Sequence, residues 1–387
     1  QKSLKLNIKG TANNKNAIGT KVLAFQKDKI LTFEKFPVRG FQSSSEIPML
    51  IGLGIQPKID SLLIIWPDKS FEKLNYDSSK KELNISYRTG LPIFDYENFK
   101  SRRNTQVDFE DISDMVNLSI SHKENSFNEF DREALIPNQI SREGPAVAVA
   151  DINHDGLEDL FLGSSRDNIA RVFMQTETGK FLEKKQAALI ADSTFEEIDA
   201  QWIDLNHDTH LDLVVASGGN EFFGKSAWLN PRIYFNEGNG NLKKAVGAFK
   251  DIFLNASVVL AFDYNGDSHI DLFFGGRSIP FGYGKKADSY LFKNDGKGNF
   301  KNVTAEVAPD LTSLGFVKDA KFIDTNGDKI QELVVALEWD GIAVFDNKFK
   351  KSYLTTKKGW WNFVEPIDID SDGDLDILAG NLGLNSR

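Results

Sequence analysis

The chain has 387 residues, enough for two domains, and 41% of them are hydrophobic, so it can bury a substantial core. It carries 46 Lys and Arg against 56 Asp and Glu, a net charge of −10, and no basic tract, which argues against a nucleic-acid partner held through phosphate contacts. It contains no cysteine, so no disulfide framework stabilises the fold.

Apolar runs in the sequence are short. The longest apolar run, Leu62 to Trp66, is too short to cross a bilayer. Gln1 opens directly into a strand-like segment, without the charged and apolar regions of a signal peptide. We therefore expect a processed product or a fragment of a longer protein. The predicted organisation is a small β domain over 1–90, a linker over 91–121 and a repeat domain over 122–387.

An acidic loop of nine residues recurs five times after residue 150. Recurrence at such intervals indicates repeated supersecondary units. Every copy has an oxygen-bearing side chain at positions 1, 3, 5 and 9. These side chains are Asp151, Asn153, Asp155 and Asp159; Asp204, Asn206, Asp208 and Asp212; Asp263, Asn265, Asp267 and Asp271; Asp324, Asn326, Asp328 and Glu332; and Asp368, Asp370, Asp372 and Asp376.

The chemistry of these five metal loops predicts calcium as the cofactor. Calcium takes roughly six to eight oxygen ligands, whereas magnesium demands octahedral geometry and zinc prefers His or Cys. A single Asp-rich turn is usually only a turn, but five matched copies favour a metal. The fifth loop, with four aspartates, is expected to bind best, and the fourth, with Glu332 and Lys329, worst. Backbone carbonyls toward the loop ends are expected to complete the ligand set, from Leu157, His210, Ile270, Ile330 and Asp374.

The segments between the loops are typical of strands and hairpins. Short runs of β-branched and aromatic residues follow each loop, and a Gly-rich hairpin such as Gly238-Asn239-Gly240 comes later in the unit. A loop, a strand, an insertion, a strand, a hairpin and a further strand make up a four-stranded propeller blade. The sequence therefore predicts an all-β fold, with a β-propeller after a small β-sandwich-like domain.

These motifs resemble those of FG-GAP or VCBS repeat proteins. More narrowly, they resemble bacterial surface proteins of the Bacteroidetes type that join such repeats to an ASPIC/UnbV domain, a group that includes the cartilage acidic proteins. Residues 4–88 resemble ASPIC/UnbV, and the repeats begin within 122–156. The motifs that carry the resemblance include Asn16-Ala17-Ile18-Gly19, Ile51-Gly52-Leu53-Gly54, Ile65-Trp66-Pro67-Asp68, Gly275-Gly276-Arg277 and Gly359-Trp360-Trp361-Asn362.

The resemblance implies a seven-bladed propeller with calcium in its blade loops. It also implies an exported protein, extracellular or on the cell surface, often on the outer membrane in bacteria, with no established catalytic activity. Thr209, Ser268 and Lys329 depart from the pattern, since Gly is usual at loop position 6. Only five loops are present, so we expect an incomplete propeller. The missing remainder of a longer polypeptide, or an outer-membrane complex, is an expected partner.

A ligand is expected on the propeller face opposite the metal loops. Antiparallel strands bring the other connections together on that face, and these connections are rich in aromatic and amide side chains. Each such aromatic can equally pack between blades. The residues chosen as ligand contacts are Asn220, Glu221, Arg277, Tyr283, Trp361 and Asn362.

Three functions fit these patterns. The leading hypothesis is a non-enzymatic binding module for a glycan or a protein, rigidified by calcium. The first alternative is a polysaccharide lyase or hydrolase built on a propeller, which needs a base beside a neutralised carboxylate or two facing carboxylates. The second alternative is an architectural spacer in a larger surface assembly. No residue spacing singles out a catalytic pair, so no catalytic residue is predicted.

Overall fold

The computed structural model describes residues 3–27, 29–40, 43–44, 48–53, 59–76, 80–96, 99 and 109–383. The chain forms two compact units, 1–110 and 111–387. Their boundary lies inside the predicted linker. The start of that linker belongs to the first unit, because Ile93 pairs with Ser70 and the Phe94 side chain is buried.

The first unit is built from nine described strands in three sheets. The sheet orders are β6-β1-β9, β3-β2-β7-β8 and β4-β5, and only the β1 and β9 pair is parallel. The strands are β1 (Ser3–Lys9), β2 (Lys21–Gln26), β3 (Lys29–Glu34), β4 (Val38–Gly40), β5 (Ser43–Ser44), β6 (Met49–Gly52), β7 (Ser61–Ile65), β8 (Phe71–Asn75) and β9 (Glu82–Ser86).

Strand β7 is buried along its whole length because both of its faces are covered. Leu62 and Ile64 point into a core shared with β1, while Leu63 and Ile65 pack with Phe94. Side chains alternate across a strand, so a strand buried on both faces is a continuous apolar run. The apolar run that was too short for a membrane is therefore an inner strand of the four-stranded sheet of this unit.

The second unit contains four antiparallel sheets, formed in chain order by consecutive strands. Two short α-helices (Ala187–Ala191 and Thr304–Val307) and three 3-10 turns lie in the connections of the described part. The strands are β10 (Val147–Ala150), β11 (Asp159–Leu162), β12 (Arg171–Gln175), β13 (Phe181–Lys184), β14 (Glu197–Ile203), β15 (Asp212–Ser217), β16 (Arg232–Asn236), β17 (Leu242–Lys244), β18 (Asn255–Phe262), β19 (Asp271–Ser278), β20 (Tyr290–Asn294), β21 (Phe300–Asn302), β22 (Phe316–Ile323), β23 (Glu332–Phe345), β24 (Lys351–Ile367) and β25 (Asp376–Asn381).

Successive sheets pack face to face and share a hydrophobic core between each pair. Phe161 of the first sheet and Val215 of the second lie in one cluster, and Phe273 and Val335 join the third sheet to the fourth in another. Hydrogen bonds between side chains and backbone reinforce the stacking, since the Asp199 carboxylate accepts the N–H of Val259 from the next sheet at 2.9 Å. These are the propeller-type blades that the sequence predicts.

Strand β24 serves two repeats. Its first half pairs with β23, from Lys351 to Trp360, and its second half pairs with β25, from Trp361 to Ile367. The fifth metal loop joins β24 to β25, so the fourth sheet runs on directly into the start of a fifth repeat. The fold is all-β as expected, and the described repeats are blade-like sheets.

Candidate metal loops and aromatic rim

Each metal loop joins the first and second strands of a repeat, and all five share one backbone conformation. Positions 4 and 6 have positive φ in every copy. Glycine adopts this region without strain, whereas a β-branched residue does so at a cost. At position 6, two loops have the usual glycine, Gly156 and Gly373. The other three loops have Thr209, Ser268 and Lys329, with φ values of 73°, 66° and 68°.

Backbone N–H groups hold the loop carboxylates in place. In all five loops, the position 1 carboxylate accepts the N–H of position 6, as Asp263 does from Ser268 at 2.7 Å. The position 5 carboxylate accepts the N–H of position 7, as Asp267 does from His269 at 3.0 Å. Each of these carboxylates is thereby fixed by the loop's own backbone.

The position 9 carboxylate ties the loop to the sheet. Asp212 accepts the N–H of Leu205 at 3.1 Å with one oxygen and the N–H of Asn236, on the third strand, at 2.9 Å with the other. Burial, reinforced by the Asp208 and Asp204 carboxylates, raises the pKa of Asp212 to about 7 against the opposing effect of these N–H groups. A divalent cation among these carboxylates would offset their mutual repulsion.

Two of the described loops bring three carboxylates especially close together. Ligand oxygens of Asp263, Asp267 and Asp271 lie within 4.8 Å of one another, as do those of Asp368, Asp370 and Asp376. Carboxylate oxygens alone are the donor set of a hard cation such as calcium. The residues present therefore fit that ion.

The backbone carbonyl expected from Ile270 needs a correction. The loop residue equivalent to Leu157 is His269, because it is His269 whose N–H bonds to the position 5 carboxylate. The Ile270 carbonyl instead accepts the side-chain amide of Asn294 at 2.9 Å. The predicted carbonyl lies one residue too late in the chain.

The fourth loop differs from the others in its position 9 side chain. Glu332 reaches back to the Thr325 N–H at 2.8 Å and also accepts the Thr325 hydroxyl at 2.6 Å. Lys329 occupies position 6 with an exposed side chain. These contacts use one oxygen of the longer carboxylate. The lower affinity expected for this loop stays a prediction.

On the opposite face, the structure places Arg277 and Asn220 inside, each with 1% of its surface exposed. The Arg277 guanidinium donates to Glu143 at 2.8 and 2.9 Å and to Glu338 at 2.8 and 3.1 Å. The Asn220 amide donates to Glu133 at 2.9 Å. Both side chains support the face from below rather than form its surface, since polar groups in the interior must find partners there.

Glu221 is likewise engaged within the protein. Its carboxylate pairs with Arg166 at 2.7 Å and accepts the Asn125 amide, and its carbonyl accepts from Arg132 at 3.0 Å. Asn125 and Arg132 belong to the segment that leads into the first repeat. That segment therefore crosses part of the face predicted to bind ligand.

The two neighbouring tryptophans of β24 point in different directions. Trp361 packs on the core containing Val364, and its indole N–H donates to the Lys357 carbonyl at 3.1 Å. Trp360 instead stacks on Trp339, with ring centroids 6.3 Å apart and planes at 25°. Because side chains alternate along a strand, a shift of one residue exchanges the core for the surface. Asn362 is exposed and donates to the Trp360 carbonyl at 3.2 Å.

An aromatic rim lies on the face opposite the metal loops. The Phe223 and Phe281 rings lie 5.7 Å apart, Tyr283 meets Trp339 edge-on at 6.2 Å, and the stacked Trp339 and Trp360 extend the row. Phe223, Phe281 and Trp339 are 59%, 60% and 54% exposed. Of the predicted contacts, Tyr283 belongs to this rim, and its hydroxyl accepts the Trp339 indole N–H at 3.2 Å.

The sequence pattern places Phe223, Phe281 and Trp339 on this face, but they were not among the residues chosen as ligand contacts. Phe223 and Phe281 lie in the connection after the second strand, 11 and 10 residues after position 9 of their metal loops, whereas Trp339 lies within β23, 7 residues after position 9. Exposed aromatics that follow the metal loop in three successive repeats indicate one shared surface more strongly than any single residue does.

Comparison with protein families assigns both parts of the chain. The model of the family described as ASPIC and UnbV matches residues 10–91. The model of the FG-GAP-like repeat matches three times, over 151–215, 204–274 and 263–335. The chain is an FG-GAP-like repeat protein with an ASPIC and UnbV domain. No curated protein matches it.

Several solved structures are similar to the chain at low identity. The V. cholerae biofilm matrix protein Bap1 is 17% identical over 62% of this chain and 35% of its own, with a TM-score of 0.33. Saccharomyces cerevisiae Sqt1 is 13% identical over 60% of this chain and 57% of its own, with a TM-score of 0.35. The exotype rhamnogalacturonan lyase YesX is 11% identical over 98% of this chain and 64% of its own, also with a TM-score of 0.35. The chain thus spans less than two thirds of each of these proteins.

Among the described residues, no helix has the length and apolar character needed to cross a membrane.

Proposed function

We propose that this protein is a calcium-stabilised binding module of the cell surface or extracellular space that recognises a glycan or a protein through the aromatic rim. The exposure of Phe223, Phe281 and Trp339 carries the proposal. Soluble proteins seldom leave a contiguous row of large aromatic rings in water unless it contacts something. Flat rings stack on sugars and on peptide side chains, and binding energy concentrates in a few such residues.

Rigid support makes the rim suitable for recognition. Glu133 accepts the N–H groups of Phe281 at 3.2 Å and Tyr283 at 3.0 Å, and it also holds Asn220. Arg132 lies over the rings of Phe223 and Phe281, 5.9 and 5.4 Å from their centroids. A surface fixed in this way loses little conformational entropy when a ligand binds.

A glycan and protein array screened with wild type and with Trp339→Ala tests this function. We expect wild type to bind and the variant to lose at least about tenfold in affinity, as for a central aromatic contact. Leu182→Ala is the matched control, because Leu182 is 58% exposed on the outermost strand of the first sheet. Binding by Trp339→Ala equal to wild type, with both variants folded, would remove the rim from the site.

Calcium in the metal loops is the second part of the proposal. The carboxylates at positions 1, 5 and 9 and the carbonyl at position 7 would hold the ion, with the position 3 side chain as a further oxygen donor. Such an ion supplies charge neutralisation and a rigid loop. Sites of extracellular modules are commonly weak, on the order of 10⁻⁴ to 10⁻³ M, and such sites fill where calcium is millimolar. This is our reason for proposing a location outside the cell.

The proposal gives the module no catalytic step, but one observation favours the alternative of a hydrolase. Glu196 is 6% exposed and makes no side-chain hydrogen bond to a described residue. Burial, followed by the nearby Glu124 and Glu221 carboxylates, raises its pKa to about 9. A protonated carboxyl beside ionised ones is the arrangement of a general acid. Release of reducing ends from a bound glycan by wild type, but not by Glu196→Gln, would establish this alternative.

A further inference from the structure

A cavity of about 620 Å³ lies between the third and fourth repeats, on the side of the metal loops. It is bounded by two of these loops, at Asp263 and Asp324, and by the hairpin that contains Asp346 and Asn347. A volume of this size is in the range of small-molecule sites. It lies on the face opposite the aromatic rim, so it is separate from the proposed function.

The corresponding gaps between earlier repeats are closed by their hairpins. The Asn236 amide reaches the Ile152 carbonyl of the preceding loop at 2.7 Å, and the Asn294 amide reaches Leu205 at 2.8 Å. Glycines in these hairpin turns let the backbone of the hairpin approach the preceding repeat closely. A side chain at Gly298 would begin 2.6 Å from the Phe235 ring, so only glycine fits.

The hairpin of the fourth repeat has neither the bridging asparagine nor the closely packed glycine. In the fourth hairpin the Asp346 N–H donates to the Lys350 carbonyl, and in the third hairpin the Asp295 N–H donates to the Asn299 carbonyl. These equivalent bonds align the two turns residue by residue. In this alignment Phe345 replaces the bridging Asn294, and Phe349, at φ 55°, replaces Gly298. Phe345 cannot donate to the preceding loop, and the Phe349 ring packs on Tyr264 at 5.8 Å, where glycine would let the two backbones meet.

The cavity combines an aromatic floor with polar groups that lack partners. The Phe262 and Phe322 rings lie against each other, with centroids 3.7 Å apart. The side chains of Tyr264, Gln331 and Asn347 make no hydrogen bond to any residue in the described part of the chain, and all three line the cavity. A purely apolar ligand would leave these groups without partners, at a cost in free energy.

We propose that this cavity binds a neutral sugar of one or two rings. The C–H face of a pyranose would lie on the aromatic floor, and its hydroxyl groups would bond to Tyr264, Gln331 and Asn347. Among the residues that line the cavity, Asp346 is offset by Lys329. Each of the two metal loops has three carboxylates at positions 1, 5 and 9, so one bound calcium ion leaves a net charge of −1 on each loop. The remaining negative charge disfavours an acidic sugar.

Saturation-transfer NMR and calorimetry test the site, with the full chain in calcium-containing buffer. The probes are the methyl glycosides of glucose, galactose, mannose and rhamnose, with glucuronate as the charged comparison. We expect at least one neutral glycoside to bind and glucuronate not to bind. Tyr264→Phe, Gln331→Ala and Asn347→Ala should each weaken binding about fivefold, the effect of one lost hydrogen bond. Each change preserves the buried packing, so folding should be maintained.

Two controls separate this site from the aromatic rim. Lys348→Ala alters the same hairpin at an exposed residue that does not line the cavity, and it should leave affinity unchanged. Trp339→Ala alters the aromatic rim and should likewise leave the affinity of the cavity for the glycoside unchanged. The proposal is overturned if no neutral glycoside binds, if glucuronate binds better, if the three cavity variants bind like wild type, or if binding is lost only in Trp339→Ala.

Discussion

Thr209 is the loop residue with the least favourable backbone conformation. It is β-branched and has a φ of 73° at position 6, where two other loops have glycine. The left-handed region costs a non-glycine residue about 1–2 kcal/mol, partly offset by the greater freedom of glycine in the unfolded chain. We predict that Thr209→Gly raises the free energy of unfolding by about 0.5–1 kcal/mol. Urea denaturation at fixed calcium concentration measures this change in the free energy of unfolding.

The reciprocal change provides the control. Gly156 occupies the same position in the first loop, and a Cβ there would meet nothing within 4 Å. Gly156→Thr should therefore destabilise through the backbone alone, by the same amount of about 0.5–1 kcal/mol. If both substitutions lower stability, the hydroxyl or methyl of Thr209 makes a contact that outweighs its strained backbone.

Glu196 gives the protein a pH dependence. Its pKa is about 9 in the folded protein, against 4.5 as its ordinary value. The folded state therefore keeps a proton that the unfolded state releases, so stability falls as the pH rises from 4.5 toward 9. Glu196→Gln cannot ionise, and we predict that it is more stable than wild type at pH 8 by about 4 kcal/mol and nearly equal at pH 4.5.

Thermal melts across this pH range provide the measurement. Glu183→Gln, at an exposed site on β13, is the control and should follow the wild-type profile. Parallel curves for wild type and Glu196→Gln would mean that the Glu196 carboxyl is ionised in the folded protein.

At the scale of single residues, the sequence indicated which side chains offer oxygen atoms to a metal better than it indicated which way a side chain points. The metal-loop oxygens could be named because their spacing repeats five times. Trp361 was chosen over Trp360 because a single strand pattern does not reveal which face is buried. Arg277 was chosen as a contact because its partners, Glu143 and Glu338, are distant in sequence.

At the scale of elements, Arg277 joins three parts of the second unit. It lies at the end of β19 and bonds to Glu143, before β10, and to Glu338, in β23. Removing the guanidinium would leave Glu338 without a cation in the interior and Glu143 with Lys318 alone, at 2.7 Å. We predict that Arg277→Ala costs about 3–5 kcal/mol of unfolding free energy, the usual effect of breaking a buried ion pair.

Calorimetry or denaturant unfolding would detect this loss. Arg171→Ala, at an exposed position on β12, is the matched control and should change stability by less than about 1 kcal/mol. A melting temperature for Arg277→Ala equal to wild type, together with lost ligand binding, would instead make Arg277 a contact residue.

The strands themselves were largely predictable. The order of metal loop, strand and Gly-rich hairpin correctly indicated four-stranded antiparallel sheets, because each feature has a local physical cause. The shared strand β24 was not predicted. It arises because the fourth hairpin is followed by a long run, Lys351–Ile367, without a turn signal. The replacement of the bridging asparagine and of the glycine in the fourth hairpin was also not predicted, because it becomes apparent only when the hairpins are aligned.

At the scale of the whole molecule, the repeats form a row of sheets whose metal loops lie on one face and whose aromatic rim lies on the other. The acidic excess of the sequence is concentrated in the loops, at sixteen carboxylates in the five copies. Like charges at short range disfavour the compact state, and a bound cation reverses that effect. The stability of the second unit should therefore depend on the ion more than on any one side chain.

Calcium content and melting temperature, determined on the same sample before and after exhaustive chelation, test this account most directly. We predict that the protein retains calcium after dialysis against millimolar calcium. Chelation should lower the melting temperature by at least about 5 °C, the effect of losing one well-occupied site. Calcium, but not magnesium, should restore it. A protein that binds no calcium and melts at the same temperature with and without chelator would contradict the account.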